Sequence, residues 1–155
     1  MIYLIINNDE GKYIMKTITK MQIKTTAHEA FEAFIDPKKI GNFWFSSSSE
    51  RWQEGKTIRL RYEEYNAEGE IQVIELIQDQ KIVFKWGKEH TVSITFNPQE
   101  QNSTLVEVVE EGFVVSEEDL IAQLIDNKEG WVYMLTCLKG YLEFGINELR
   151  GGLVH

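Results

Sequence analysis

Few residues of this sequence have the types and spacing that catalysis requires. His28 falls in the first turn of a predicted helix, where a histidine side chain is usually solvated. His90 opens a predicted strand beside Glu89, and that pair is either a proton-transfer couple at a cavity rim or an ordinary edge turn. His155 is the terminal residue. Together with Cys137, these histidines match no metal-ligand spacing, and no glycine-rich phosphate loop is present, so we predict no metal and no cofactor.

Cys137 is the only cysteine, which excludes an internal disulfide. It lies among Leu135, Thr136 and Leu138 in the middle of a predicted helix, as a small buried hydrophobic residue does. A nucleophilic cysteine would need a histidine and a third group close by. We therefore assign no catalytic residue, and the sequence favours a binding protein over an enzyme.

Two carboxylates fall on apolar strand faces. Glu75 shares a predicted face with Ile71, Val73 and Ile77, and Glu107 alternates with apolar residues in a later strand. Such a carboxylate lies either at the solvated end of a sheet or in a pocket that faces a ligand, and burial without a partner would raise its pKa. Because the opposite faces of both strands are also apolar, the pattern leaves the two interpretations open.

Aromatic residues dominate the predicted inward faces. Their ordinary role is core packing, but a sheet that curves around a helix can also enclose a ligand cavity. Tyr62 and Tyr141 would add polar contacts to it. The candidate cavity residues are Phe31, Phe34, Trp44, Leu60, Tyr62, Glu75, Phe84, Trp86, Phe96, Glu107, Trp131, Leu135, Leu138 and Tyr141.

The elements that must position these residues begin with β-structure. Residues 2–6 are β-prone, residues 7–11 are typical of a turn, and residues 13–23 alternate, so residues 1–12 form a hairpin or a short extension before the first main strand. Two short helices are predicted next. Thr26 caps the first, with Glu29 completing a capping box, and Asp36-Pro37 begins the second.

The second half of the chain predicts a meander and a long helix. Residues 57–109 alternate with period two and are divided by turns into five antiparallel strands. Residues 116–119 cap a short helix through about Ile125, and a final helix spans 126–150. Because that helix is apolar on two stripes, a concave sheet must surround it or another chain must pair with it. We predict an α+β fold, a curved antiparallel sheet wrapped around a long C-terminal helix.

Composition limits the partners. The 155 residues suit one domain, 1–155, and the net charge of -9 disfavours nucleic acids and anionic membranes. No apolar stretch approaches the roughly 20 residues needed to span a bilayer, and the N-terminal apolar run is too short for a secretory signal. We therefore expect a cytoplasmic protein with no membrane span and no nucleic-acid partner.

Several motifs resemble domains similar to the activator of heat-shock protein 90 ATPase. The similarity covers about residues 16–145 in the right order. The matching pieces are the run from Thr26 to Pro37, Phe43-Trp44, the run from Glu68 to Ile71, the strand from Lys81 to Trp86, and Gly130-Trp131 with Leu135, Leu138, Tyr141 and Leu142.

The resemblance implies a START-like, helix-grip fold with a cavity between the sheet and the last helix. Three functions follow from it: a protein that binds a small apolar or aromatic ligand, an interaction module that acts on a chaperone ATPase, or a cyclase or hydrolase that uses the same cavity. The sequence departs from the family at Val132-Tyr133-Met134, where polar residues are usual, and this departure suggests a homodimer through the C-terminal helix. The N-terminal hairpin has no counterpart in the family.

Overall fold

An eight-stranded antiparallel sheet forms the frame of the molecule. The computed structural model describes residues 2–6, 13–114 and 118–154. The strands pair in the order β1-β2-β8-β7-β6-β5-β4-β3. Strands β4 to β8 form the predicted five-stranded meander, and β2 pairs with β8 on one side and with β1 on the other. In chain order the strands are β1 Ile2–Ile6, β2 Tyr13–Ile23, β3 Ser47–Ser48, β4 Thr57–Tyr62, β5 Ala67–Ile77, β6 Lys81–Trp86, β7 His90–Gln99 and β8 Ser103–Val114.

The short helices follow β2, as predicted. Helix α1 spans Ala27–Ile35, and the Thr26 side chain caps it by accepting a hydrogen bond from the Glu29 backbone N–H at 3.1 Å. The second short helix is a single 3-10 turn, Ile40–Asn42, that follows the turn at residues 37–39. Together they carry the chain from the end of β2 toward the first strands of the meander.

The C-terminal helix is one continuous element, α2, from Leu120 to Phe144. The prediction of a short helix followed by a helix over 126–150 is therefore wrong at both ends. Asp126 and Asn127 lie inside the continuous helix, and the Asn127 side chain contacts the sheet: Thr17 donates to it at 2.8 Å. Gly145, with φ of 68°, ends the helix in the left-handed region that glycine readily adopts. Within the described residues no helix is long and apolar enough to cross a membrane.

Parts of the sequence-based predictions fall on residues 7–12, 115–117 and 155. These include the turn at 7–11, most of the predicted cap at 116–119, and His155, all of which lie outside the described residues.

One core joins both helices to the concave face of the sheet. The inward residues of β2, β8, β7 and β6 include Ile23, Val106, Ile94 and Ile82, all of them fully buried. Buried residues of α1 and α2 pack against the same cluster, among them Phe34, Leu135 and Leu138. The curved sheet therefore grips α2, which is the predicted α+β architecture.

A β-bulge in β5 changes which face its last residues occupy. The register against β6 shifts between Val73 and Glu75, so that Ile74 is an extra residue and the alternation reverses after it. As a result Leu76 packs against the core, while Ile77 is 41% exposed. The prediction that Glu75 and Ile77 share the face of Val73 is wrong for this reason.

Candidate functional site

A cavity of about 390 Å³ lies between α2, the segment that follows α1, and the chain after α2. Its wall is mostly aromatic, with a few polar groups, as small-molecule sites commonly are. The lining residues are Phe43, Trp44, Phe45, Tyr62, Tyr65, Trp86, Asp126, Asn127, Gly130, Trp131, Tyr133, Met134, Arg150, Gly151 and Leu153.

Three tryptophans from three elements form one side of this cavity. Trp86, at the end of β6, stacks on Trp131 of α2 with ring centroids 5.4 Å apart and planes inclined by 26°. Trp44, in the segment after the 3-10 turn, lies 5.5 Å from the Trp131 ring and 6.3 Å from the Trp86 ring. Aromatic pairs at these separations are favourable beyond their buried area. The wall is therefore held by ring contacts between strand, helix and loop.

A buried carboxylate fixes two of these rings from behind. Glu110 of β8 is 2% exposed. Its Oε1 accepts hydrogen bonds from Trp86 Nε1 at 2.9 Å and from His90 Nδ1 at 2.8 Å. Its Oε2 accepts from Trp131 Nε1 at 2.7 Å and from the Asn127 side-chain amide. Both oxygens are thus fully used within the protein, so Glu110 positions the wall rather than contacting a ligand.

The charge state of Glu110 follows from two opposed effects. Burial raises the pKa of this carboxyl, but the hydrogen bonds from His90, Asn127, Trp86 and Trp131 outweigh it and hold the pKa of Glu110 below its usual value. Glu110 is therefore an ionised acceptor at neutral pH. Four charge-assisted hydrogen bonds compensate the desolvation of the buried charge.

His90 owes its position to β8. Because ionised Glu110 can only accept, Nδ1 of His90 must be the protonated ring nitrogen in this contact. Gly112, with φ of 118°, lets the strands approach: a Cβ there would lie 3.0 Å from the His90 Cα and 2.8 Å from the Glu89 carbonyl oxygen. The ring of Phe113 meets the imidazole edge-on at 4.6 Å. The partner of His90 is thus Glu110, and of the two interpretations that the sequence left open, the couple with the adjacent Glu89 is not formed.

A second, wider space adjoins the cavity. It measures about 1160 Å³ and shares Phe45 and Trp86 with the aromatic cavity. His90, Glu89 and Gln123 are among its lining residues. We call this space the groove. His90, which is bound to Glu110, borders the groove, and the shared Trp86 places the groove next to the aromatic wall.

The chain after α2 covers one side of the cavity, held there by Arg150. The guanidinium donates to the Trp44 carbonyl at 2.6 Å and to Ser46 Oγ at 2.9 Å, and it forms a two-point ion pair with Glu64. It also lies over the Tyr62 ring, 5.3 Å from the centroid. Burial raises the pKa of Tyr62 to about 12, so its hydroxyl stays protonated. We call residues 145–154 the C-terminal segment.

Two tyrosines add further attachments for this segment. Tyr65 Oη donates to the Leu153 carbonyl at 3.0 Å, and Tyr133 Oη donates to the Leu149 carbonyl. Both tyrosines also line the cavity. Their rings therefore contribute to the wall while their hydroxyls hold the segment that covers it.

The sequence-predicted cavity residues separate into three groups. Four of them line the cavity, namely Trp44, Tyr62, Trp86 and Trp131, and Leu60 lines the groove. A second group lies inside the core away from both spaces: Phe31, Phe34, Phe84, Phe96, Leu135 and Leu138, with Tyr141 packed against it.

The third group, Glu75 and Glu107, lies outside the cavity. Glu75 pairs with Lys81 at 3.2 Å after the β5 bulge turns it outward. Glu107 pairs with Lys20 at 3.3 Å, on the face of β8 opposite to Val106. The pocket interpretation of both carboxylates is therefore replaced by two ion pairs at least partly exposed to solvent.

His28 and Cys137 take the ordinary roles that the sequence allowed. The His28 ring is exposed and its Nδ1 lies 2.9 Å from Asp79 Oδ1, a hydrogen bond that raises the pKa of His28. Cys137 is buried in the core, and burial raises the pKa of its thiol. A raised thiol pKa disfavours the nucleophilic thiolate.

Sequence reasoning missed Glu110, Asn127 and Arg150. Glu110 continues the alternation of Val106 and Val108, and an acidic residue in that register was the available signal. Arg150 gave no such signal because it was predicted to end a helix. Its contacts with Trp44 and Glu64 depend on the chain reversing direction after Phe144.

The comparisons with known proteins agree with this architecture. Residues 24–143 match the model of the family described as activator of Hsp90 ATPase homolog 1-like protein. No curated protein matches the chain. Among solved structures, a protein from Staphylococcus saprophyticus is 51% identical, with a TM-score of 0.78, covering 85% of this chain and 94% of that one.

Two more distant structures share the fold. The Aha1 dimer from Colwellia psychrerythraea has a TM-score of 0.73 at 17% identity, covering 84% of this chain and 97% of that one. DynU16, a protein of the dynemicin biosynthetic locus, has a TM-score of 0.74 at 21% identity; the match covers 85% of this chain and 48% of DynU16. The family match spans most of the chain, and the Staphylococcus relative is similar over nearly its whole length. This chain therefore belongs to the family of activator of Hsp90 ATPase homolog 1-like proteins.

Proposed function

We propose that this protein binds a small apolar or aromatic ligand in the cavity beside α2. The observation that carries the proposal is the wall of three tryptophans, Trp44, Trp86 and Trp131, around a space of about 390 Å³. Cavities of roughly 300–1,000 Å³ with mostly apolar linings are typical of small-molecule sites. Aromatic walls favour flat or ring-containing ligands because rings stack at little conformational cost.

The fixed geometry of the wall supports the same proposal. Trp86 and Trp131 are each tied through Nε1 to the buried Glu110. Rotating either indole into the empty space would break a charge-assisted hydrogen bond and leave a buried charge less well solvated. The cavity consequently resists collapse, and a ligand would not have to spend its binding energy on ordering the site.

Gly130 offers a test that separates binding from folding. It lies on α2 in the cavity wall, and a Cβ added there would have no heavy atom within 4 Å. The first side-chain atom at position 130 is therefore free of clashes, so Gly130→Phe is designed to fill part of the cavity, and phenylalanine is a better helix former than glycine. Ala122→Phe is the matched control, because Ala122 is exposed on the same helix and does not line the cavity.

The experiment is a thermal-shift titration against fatty acids, flavonoids, aromatic polyketides and sterols. A ligand present at 100 times its Kd should stabilise the wild-type protein by about 2.7 kcal/mol, a Tm increase of roughly 5–10 °C. We expect Gly130→Phe to keep the unliganded Tm and lose the shift, and Ala122→Phe to keep both. A saturable shift that survives in Gly130→Phe would contradict the proposed site.

We also propose a homodimer through the outer surface of α2. Ile121, Ile125 and Val132 are 74%, 61% and 42% exposed, and their spacing of four and eleven residues places them on one side of the helix. An apolar stripe on a solvent-exposed helix face is typical of an interaction surface. The Colwellia protein of the same fold, which is described as a dimer, adds support.

A further inference from the structure

The His90 imidazole has one ring nitrogen engaged and one left over. Nδ1 is bound to the buried Glu110 carboxylate at 2.8 Å. Among the described residues, no hydrogen-bond partner contacts Nε2, and the ring borders the groove with its side chain 22% exposed. Because the ring is only partly buried, Nε2 is open to solvent in the groove, where a ligand group can take the place of water.

Glu110 decides which nitrogen carries the proton in the neutral ring. Because the pKa of Glu110 is held below its usual value, the carboxylate accepts and Nδ1 donates. Nε2 is then a hydrogen-bond acceptor with its lone pair unshared. The same arrangement of carboxylate, Nδ1–H and free Nε2 orients the basic histidines of many enzymes.

We propose that His90 Nε2 accepts a hydrogen bond from a hydroxyl group of a ring-containing ligand whose body lies in the aromatic cavity. The proposal rests on the proposed function for the ring and adds a polar contact at its end. Trp86 connects the two regions, since its ring lines both cavity and groove and its Nε1 shares Glu110 Oε1 with His90. A ligand that stacks on Trp86 can therefore direct a substituent toward His90.

The charges around the groove select a neutral hydroxyl over an anionic group. Glu70 and Glu89 line the groove, Lys88 is the one lysine or arginine among the described residues that line it, and Glu110 lies behind His90. The whole chain carries a net charge of -9. A carboxylate or phosphate ligand would meet like charges here, whereas a hydroxyl donates to Nε2 without that penalty.

The first test needs no ligand. Nitrogen-15 NMR of the wild-type protein at pH 8 reports which ring nitrogen of His90 is protonated, with assignment by comparison to His90→Phe. We expect a protonated Nδ1 and an unprotonated Nε2. A protonated Nε2 in the neutral ring would overturn the proposal, because that nitrogen could not accept a hydrogen bond.

The second test compares two probes in which the oxygen bound to the ring carries either a proton or a methyl group. 2-Naphthol and 2-methoxynaphthalene have the same ring system, and only the naphthol can donate to Nε2. We expect calorimetric titration of the wild-type protein to give about fivefold to tenfold tighter binding of the naphthol. His90→Phe should bind both probes equally, and His28→Phe, which changes an exposed histidine bonded to Asp79, should keep the wild-type preference.

The outcomes separate this proposal from the proposed function. Equal affinity of the two probes in the wild-type protein would overturn the role of His90 and leave the aromatic cavity in place. A naphthol preference that persists in folded His90→Phe would do the same. Failure of both probes to bind would overturn the aromatic cavity as a ring-binding site, and the contact at His90 with it.

Discussion

At the scale of the residue, Glu110 links four elements through one side chain. It lies on β8 and binds Trp86 of β6, His90 of β7, and Asn127 and Trp131 of α2. We expect Glu110→Gln to lower the free energy of unfolding by roughly 2–4 kcal/mol at pH 7. The glutamine amide has one NH2 group where the carboxylate had an oxygen, so two of the four donors face another donor and lose their acceptor. Urea denaturation measures this change. Glu107→Gln, on the exposed face of the same strand, is the control and should change it by less than about 0.5 kcal/mol.

The same substitution has a defined pH dependence. Because the folded-state pKa of Glu110 is lowered, its charge stabilises the folded state above the unfolded-state pKa of about 4.3, and this contribution is lost as pH falls through the folded-state value. Measured in a His90→Phe background, where Glu110 has no titratable partner among its hydrogen-bond donors, the stability difference between Glu110 and Glu110→Gln should therefore be constant from pH 6 to 8 and shrink below about pH 4.3. A difference that grows on acidification would contradict an ionised Glu110.

Carboxylates also show what the sequence could predict at this scale. Strict alternation puts Glu75 on the face of Val73 and leaves open whether that face is buried, whereas a β-bulge at Ile74 turns Glu75 to the surface. Glu110 was missed although it follows Val106 and Val108 in register, because Leu105 and Val109 make the other face of β8 apolar too and left the inward face undecided. Alternation gives two faces; only the pairing of strands decides which one is buried.

At the scale of the element, the order of strands and helices followed from the sequence, whereas the ends of α2 did not. Apolar spacing identified the helix, but Asn127 was taken to lie in the first turn of a new helix when its side chain binds Thr17 and Glu110 across the interface. Gly145 ends α2 because of its left-handed backbone, a conformation that a helical pattern in the side chains does not reveal.

The C-terminal segment depends on Arg150 for its position over the cavity. Arg150→Met keeps much of the side-chain length but removes the donors to Trp44, Ser46 and Glu64. We expect amide hydrogens of residues 146–153 to exchange at least tenfold faster, while those of β7 and β8 stay unchanged, because local opening of a segment need not unfold the core.

Arg59→Met provides the matched comparison for that measurement. Arg59 is a 62% exposed residue of β4 that pairs with Glu68. Its replacement eliminates one solvent-exposed ion pair and leaves the contacts of the C-terminal segment intact. Hydrogen exchange followed by mass spectrometry resolves the segment in both variants. Equal exchange of residues 146–153 in wild type and Arg150→Met would mean that Tyr65 and Tyr133 alone hold the segment.

At the scale of the whole molecule, two features have opposite effects on the association of two copies: the apolar stripe on α2 favours it, and the net negative charge disfavours it. Each chain carries a net charge of -9, so two copies repel one another until salt screens them. Burying Ile121, Ile125 and Val132 against a second copy would remove exposed apolar area, with each fully buried side chain worth about 1.5–3 kcal/mol. The balance of these two effects predicts a dimer that strengthens as salt increases.

Sedimentation velocity can resolve this dimer and its salt dependence. We expect association of the wild-type protein to tighten between about 0.05 and 0.5 M salt. The Debye length shortens over this range, so salt screens the repulsion between the two negatively charged chains. Ile125→Glu should weaken the dimer at least tenfold, because the twofold arrangement buries the new charge twice. Ile74→Glu makes the same exchange at a 41% exposed position on β5 and should leave association unchanged. Equal weakening by both variants would assign the effect to added charge, and the apolar stripe of α2 would then not be the interface.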